Sequence, residues 1–121
     1  MKLLYISIIL FVVTLASCNK EDSKEVATSK PQVTKVFADK DTINYGGTDP
    51  CTITVEATGG NLSYKWYVDL GNIVPLNSNS SKIRFTGSEC CLGDKYITCT
   101  VSNELGKIDT TKIIFIRDPQ K

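Results

Sequence analysis

Apolar and polar positions follow two different rhythms along this chain. From Leu3 to Thr14 they are almost all apolar, a run of about a dozen residues, which is too short to cross a bilayer as a helix. Asn19 to Pro31 is polar and charged and lacks aromatic residues. From Gln32 onward the hydrophobic period is two, the signature of strands with one buried face. Val33–Phe37 predicts a first short strand. In the run 51–57, Cys51, Ile53, Val55 and Ala57 share a face, and in 62–68 Leu62, Tyr64, Trp66 and Val68 do the same. Ile83 and Phe85 mark another strand. Ile97, Cys99 and Val101 point one way in the next, and Ile114 and Ile116 face inward in a last strand over 107–116.

The breaks between these runs have the residues that tight turns need. They are Gly46 to Pro50, Thr58 to Asn61, Asn77 to Ser81, Leu92 to Asp94 and Asn103 to Gly106. No segment after the first apolar run has helical periodicity. Six or seven short alternating strands predict an all-β domain, a sandwich or barrel, over 32–117, with a short polar tail at 118–121.

Several motifs resemble those of immunoglobulin-like domains, including their bacterial and PKD-like relatives. Trp66-Tyr67 after Gly59-Gly60 resembles the family's third-strand tryptophan. Val101-Ser102-Asn103-Glu104-Leu105-Gly106 resembles the end of the sixth strand and its hairpin, and Cys99 falls where the family places its second core cysteine. The resemblance implies a single immunoglobulin-like sandwich of about seven strands, with Trp66, Val55, Tyr64, Ile97 and Val101 in its core. It also departs from the family. The first core cysteine would fall at Val55, whereas Cys51 lies four residues earlier. The tyrosine-corner motif is absent, with Asp94 and Tyr96 one residue out of place.

A sandwich of this kind brings the start of its second strand to the same end as the connection bearing Cys90 and Cys91. That favours a bridge from Cys51 to Cys91 or Cys90, with Cys99 either a buried thiol or paired to the remaining cysteine. A bridge between the neighbours Cys90 and Cys91 would strain the peptide joining them.

The N-terminal residues carry a second resemblance. Met1-Lys2, the apolar run and Leu15-Ala16-Ser17-Cys18 resemble the signal peptide and lipobox of bacterial lipoproteins. This implies cleavage after Ser17, so that 1–17 is a signal peptide, and diacylglycerol on Cys18 with further acylation of the new amino terminus. Multiple acyl chains such as palmitate would attach the protein permanently to a membrane. Residues 18–31 then read as a lipidated flexible tether. Asn19-Lys20-Glu21-Asp22 resembles the surface-export signal of some Gram-negative lipoproteins, implying an outer-membrane location facing outward.

Charge narrows the function classes. Removing 1–17 takes Lys2 from the 14 basic residues and none of the 13 acidic ones, so the mature chain is formally neutral. It has no basic field for nucleic acid. Histidine is absent, which removes the usual general base and the commonest metal ligand. Cys51, Cys90, Cys91 and Cys99 lack the spacing by which paired thiolates grip zinc, and Asp39, Asp41 and Asp49 match no calcium loop. No catalytic residue, metal or cofactor is expected.

Binding is the remaining class. Trp66 faces inward by parity and Tyr67 outward. Asn61, Asn79 and Asn103 lie in turns that gather at one end of a sandwich, where recognition residues often sit. Ile113 and Phe115 make the last strand apolar on its second face as well, which calls for a cover or a partner. The expected function is a lipid-anchored, non-catalytic module binding protein or glycan. The alternative is a structural subunit of an envelope complex.

Overall fold

In the computed structural model, which describes residues 26–120, the alternating runs become two four-stranded sheets packed face to face. The strands are β1 (Gln32–Ala38), β2 (Thr42–Asn44), β3 (Gly46–Thr58), β4 (Ser63–Tyr67), β5 (Asn72–Pro75), β6 (Lys82–Gly87), β7 (Gly93–Asn103) and β8 (Gly106–Arg117). One sheet has the order β1-β3-β6-β5 and the other β2-β8-β7-β4. This is the arrangement of an immunoglobulin-type sandwich, with the first strand split between the sheets. β1 pairs antiparallel with β3. The chain then crosses at Asp39–Asp41, and β2 pairs parallel with β8.

Alternation places the core. Ile53 and Val55 of β3, Ile83 and Phe85 of β6, Ile97, Cys99 and Val101 of β7, and Ile114 and Ile116 of β8 are buried between the sheets. Trp66 and Tyr64 of β4 are half-buried against them. The Trp66 indole N–H donates to the Ser80 carbonyl at 2.6 Å, so its one polar atom is satisfied by the turn before β6.

The strand count is eight among the described residues, against the six or seven expected. β2 and β5 account for the difference. β2 has three residues hemmed by Asp39-Lys40-Asp41, and β5 has only Ile73 and Val74 as apolar members, so neither shows a period. Residues 46–50, expected as a turn, belong to β3. Gly46 pairs with Gly87 and Cys51 with Phe85, so five steps on β3 face two on β6 and the surplus forms a bulge.

The cysteine pairing also departs from expectation. Cys90 is bridged to Cys91, and Cys51 and Cys99 are buried thiols. The register shows why no bridge reaches Cys51. It faces the core opposite Phe85, whereas β6 leaves the sheet at Gly87, level with Gly46. The connection at 88–92 therefore starts beyond the end of the core layer that holds Cys51. Both cysteines lie toward the same end, but at different depths.

The last residues read as tether make contacts. The Thr28 N–H donates to the Gly59 carbonyl at 2.8 Å, and the Asn103 side-chain amide donates to the Ser29 carbonyl at 2.8 Å. The segment runs so close to the 59–60 turn that a Cβ on Gly60 (φ +77°) would lie 2.5 Å from the Val26 carbonyl oxygen. Cys18 and residues 19–25 lie outside the described residues.

Candidate binding face

The turn end expected to carry recognition is occupied with its own structure. Asn103 Nδ2 donates to the carbonyls of Ser29, Gly60 and Gly59 at 2.8, 3.1 and 3.3 Å, and its Oδ1 accepts the Leu105 N–H at 2.9 Å. One side chain thus joins the N-terminal segment to two turns. Asn61, held at φ +51°, donates to Glu104 Oε1 at 2.7 Å. Asn79 Oδ1 accepts the Ser81 N–H at 3.2 Å. These are the local side-chain bonds that make Asn a turn residue.

The outer face of the β4-β7-β8 sheet is different. Tyr67 of β4 is opposite Thr98 of β7, Tyr96 is opposite Ile113 of β8, and Asp94 is opposite Phe115. All point away from the core, since their chain neighbours Trp66, Ile97 and Ile114 point into it. Tyr67, Tyr96, Ile113 and Phe115 are 68, 59, 47 and 45% exposed. From Tyr67 to Tyr96 is one strand across and two residues along, and from Tyr96 to Phe115 is the same step again. Each diagonal step is about 7–8 Å. Three aromatic side chains therefore leave the sheet along one diagonal across three strands, with Ile113 beside the central one.

The floor around the row is polar and internally bonded. The Thr98 and Thr111 hydroxyls are 3.1 Å apart, and Thr100 Oγ1 donates to Asp109 Oδ1 at 2.6 Å. Lys65 stands opposite Thr100, and Thr42 of β2 is level with Phe115. Tyr67 and Phe115 were expected to be exposed. Tyr96 was missed as a surface aromatic, although the inward parity of Ile97, Cys99 and Val101 implies that it faces outward.

Elsewhere the core thiols are buried and the carboxylates at the crossover are bonded to the fold. Burial pushes the Cys51 thiol up to about 11 and the Cys99 thiol up to about 12, so neither supplies a thiolate near neutrality. Asp49 accepts the Asn44 N–H and the Lys40 ammonium, both at 2.7 Å, and the Asn44 bond is the first cause holding its carboxyl below the usual range. Asp39 accepts the Thr52 N–H at 2.7 Å, and Asp41 pairs with Lys112 at 3.0 Å. Among the described residues no three His, Cys, Asp or Glu side chains gather into a metal-binding group. A cleft of about 310 Å³ beside β5 is lined by Gly71, Asn72, Thr86, Gly87 and Ser88, none of them ionisable.

No protein-family model matches the chain, and no curated protein matches it. A solved structure similar to it is that of a "putative alpha-galactosidase" from Bacteroides fragilis NCTC 9343, with 17% identity and a TM-score of 0.52. The match covers 78% of this chain but 19% of that protein, so this chain resembles a domain-sized part of a much larger one. At this identity the likeness concerns the fold alone.

Proposed function

We propose that the protein is a membrane-anchored, outward-facing lipoprotein of the bacterial outer membrane, acting as a non-catalytic binding module for protein or glycan. The observation that carries this reading is the exposed aromatic row of Tyr67, Tyr96 and Phe115, which leaves large apolar side chains outside a core already filled by their neighbours. Apolar surface concentrated in one patch marks an interaction site more often than isolated exposed residues do. Cys18 supplies the anchor in this reading, and residues 19–25 the spacer. Catalysis has little support, because histidine is absent and the core thiols are buried.

A second reading, an accessory subunit of an envelope complex, is favoured by the edge of β8. β2 pairs with it only at Phe115–Arg117, so most of that edge carries no strand partner among the described residues. Such an edge can accept a strand from another protein.

The test is protease treatment of intact cells, intact-mass analysis of the membrane form, and capture of extracellular proteins and glycans by wild-type and Phe115→Lys lipoprotein. Release of the domain from whole cells, acyl mass on Cys18 and a captured ligand lost in the variant are the expected results. Protection until the envelope is opened, together with a stoichiometric envelope protein lost on Phe115→Lys, would replace the first reading by the second. Absence of acyl mass on Cys18 would remove the anchor.

A further inference from the structure

Register fixes what lies at each end of the sandwich. β7 runs from Gly93, opposite Ile116, to Asn103, opposite Gly106. At about 3.3 Å per residue its 11 residues set the two ends about 33 Å apart. The 59–61 turn and the 103–106 hairpin lie at one end. The Cys90–Cys91 connection and the cleft lined by Gly71, Gly87 and Ser88 lie at the other.

The chain leading from Cys18 arrives at the first end and is held there. The Thr28 N–H donates to the Gly59 carbonyl, and Asn103 Nδ2 donates to the Ser29 carbonyl, both at 2.8 Å. The Val26 carbonyl oxygen already lies against Gly60. These contacts shorten the link between Cys18 and the domain. Without them it would run to Gln32, 14 residues on, and with them it ends at Val26, eight residues on. Fully extended, 14 residues reach about 46–50 Å and eight reach about 26–29 Å. Part of that reach lies within the headgroup layer, about 5–7 Å deep, because a lipidated cysteine starts at the acyl chains.

These lengths decide between two orientations. Standing the domain on its Cys90–Cys91 end would lift Val26 about 33 Å or more above the lipid. Eight residues do not span that height, whereas 14 would.

Charge acts in the same direction. Lys30, Lys35, Lys65, Lys82 and Lys107 lie in the half nearest Asn103, against Glu56, Glu104 and Asp109. The far half has Asp39, Asp41, Asp49, Asp69, Glu89, Asp94 and Asp118, against Lys40, Lys95, Lys112 and Arg117. Arg84, opposite Thr52, is near the middle. An anionic lipid surface attracts the first end and repels the second.

Resting on the reading of Cys18 as a lipid anchor, we infer that the Asn103 end of the sandwich faces the bilayer and that the Cys90–Cys91 connection and its cleft form the membrane-distal tip. The side chains that meet the headgroups are Val26, Lys30, Leu105 and Lys107. Val26 and Leu105 are 68 and 48% exposed, Lys30 packs beside Gly106, and Glu104 is bonded to Asn61. Apolar tips flanked by lysines suit the boundary between headgroups and water.

The experiment places the full-length lipoprotein in vesicles of phosphatidylcholine and phosphatidylglycerol that carry an energy-transfer acceptor on a headgroup. Cys90→Ser and Cys91→Ser remove the exposed pair, and the buried thiols of Cys51 and Cys99 escape labelling while the domain is folded. In that background a donor is attached through Leu105→Cys or through Glu89→Cys, both at exposed positions. Cooperative urea unfolding shows that each labelled variant is folded. We expect several-fold stronger transfer from position 105 than from position 89. Inserting about 12 Gly and Ser residues between Glu25 and Val26 raises the reach to about 66–72 Å and should shrink the difference. Equal transfer from the two positions means that the domain lies on its side, and stronger transfer from position 89 means that it is inverted; either overturns the inference. A difference unchanged by the longer link also overturns it, because reach would then not set the orientation. Protein that carries acyl mass on Cys18 and floats with the vesicles, yet gives equal transfer, retains the anchor and loses only the orientation. Protein without acyl mass that fails to float removes the anchor, and the inference with it.

Discussion

The two regions best placed for recognition, the turn end around Asn103 and the aromatic row on the β4-β7-β8 sheet, use their chemistry in opposite ways. At the turn end the polar groups are already consumed. Asn103 alone makes four hydrogen bonds, to Ser29, Gly59, Gly60 and Leu105, and Asn61 is bonded to Glu104. On the sheet, Tyr67, Tyr96, Ile113 and Phe115 contribute area to no core and remain open to solvent. Polar side chains in tight turns therefore say little about ligands until their local bonds are counted. Apolar side chains at outward strand positions say more, because folding gains so little from them there.

The sharpest way to break this comparison is to truncate neighbours on β8. Ile114 is fully buried and Phe115 is exposed, though they are adjacent. Ile114→Ala should cost about 3 kcal/mol through lost transfer energy and a cavity. Phe115→Ala should cost less than about 1 kcal/mol. Urea unfolding of the two variants checks this. Equal losses would mean that Phe115 serves the fold, and the row would lose its claim to be unspent surface.

The next effect lies at the turn end. Asn103→Ala removes four bonds and leaves the carbonyls of Ser29 and Gly60 without their donor, at a cost of about 1–3 kcal/mol. Hydrogen exchange at the Thr28 amide, bonded to Gly59, should accelerate, because the N-terminal segment loses its tie to the hairpin. Binding through the aromatic row should be untouched. A variant that folded normally but lost its ligand would return recognition to the turns.

Most of the fold was legible where one side of a strand is buried and the other wet. The faces of β3, β7 and β8 follow directly from the period of two. β2 and β5 were not legible, because three- and four-residue strands cannot show a period, and their pairing is set by the sheets they join. The candidate face was half legible. Tyr67 and Phe115 are outward by parity, but their meeting Tyr96 in one row depends on the register of three strands, which no single segment encodes. The roles of Asn61 and Asn103 were hidden for the same reason: their partners Glu104 and Ser29 are distant in sequence.

The cysteines give a smaller effect. A bridge from Cys51 across about 40 residues would contribute about 4 kcal/mol in the chain-entropy model, whereas a bridge between adjacent residues constrains almost no loop and contributes about 1 kcal/mol. Gentle reduction should add the mass of two protons and leave the cooperative transition nearly in place. Alkylation of the reduced, folded domain should mark Cys90 and Cys91 and spare Cys51 and Cys99 until it is unfolded. A large loss of stability on reduction would mean that a long-range bridge exists in solution. It would also tie the 88–92 connection, at the opposite end from Asn103, into the core.

The smallest expected effect concerns Asp49, which ties down the opposite end as Asn103 ties down the turns. Its carboxylate accepts the Asn44 N–H where β2 ends its pairing with β8, and the Lys40 ammonium from the crossover. Those two bonds, the Asn44 one first, hold its carboxyl below the ordinary range. A group whose pKa is depressed on folding stabilises the native state above its unfolded value, near 3.9 for Asp, and loses that contribution as pH falls through the folded value. Because the site is open to solvent, screening keeps the effect small. Asp49→Asn should therefore lower the unfolding midpoint slightly at pH 6, and the two proteins should converge in acid once the carboxyl is protonated. Convergence in acid would show that the charge itself holds the crossover, and with it the edge of the sheet that carries Phe115. A gap that persists unchanged in acid would mean that the side chain acts by shape alone.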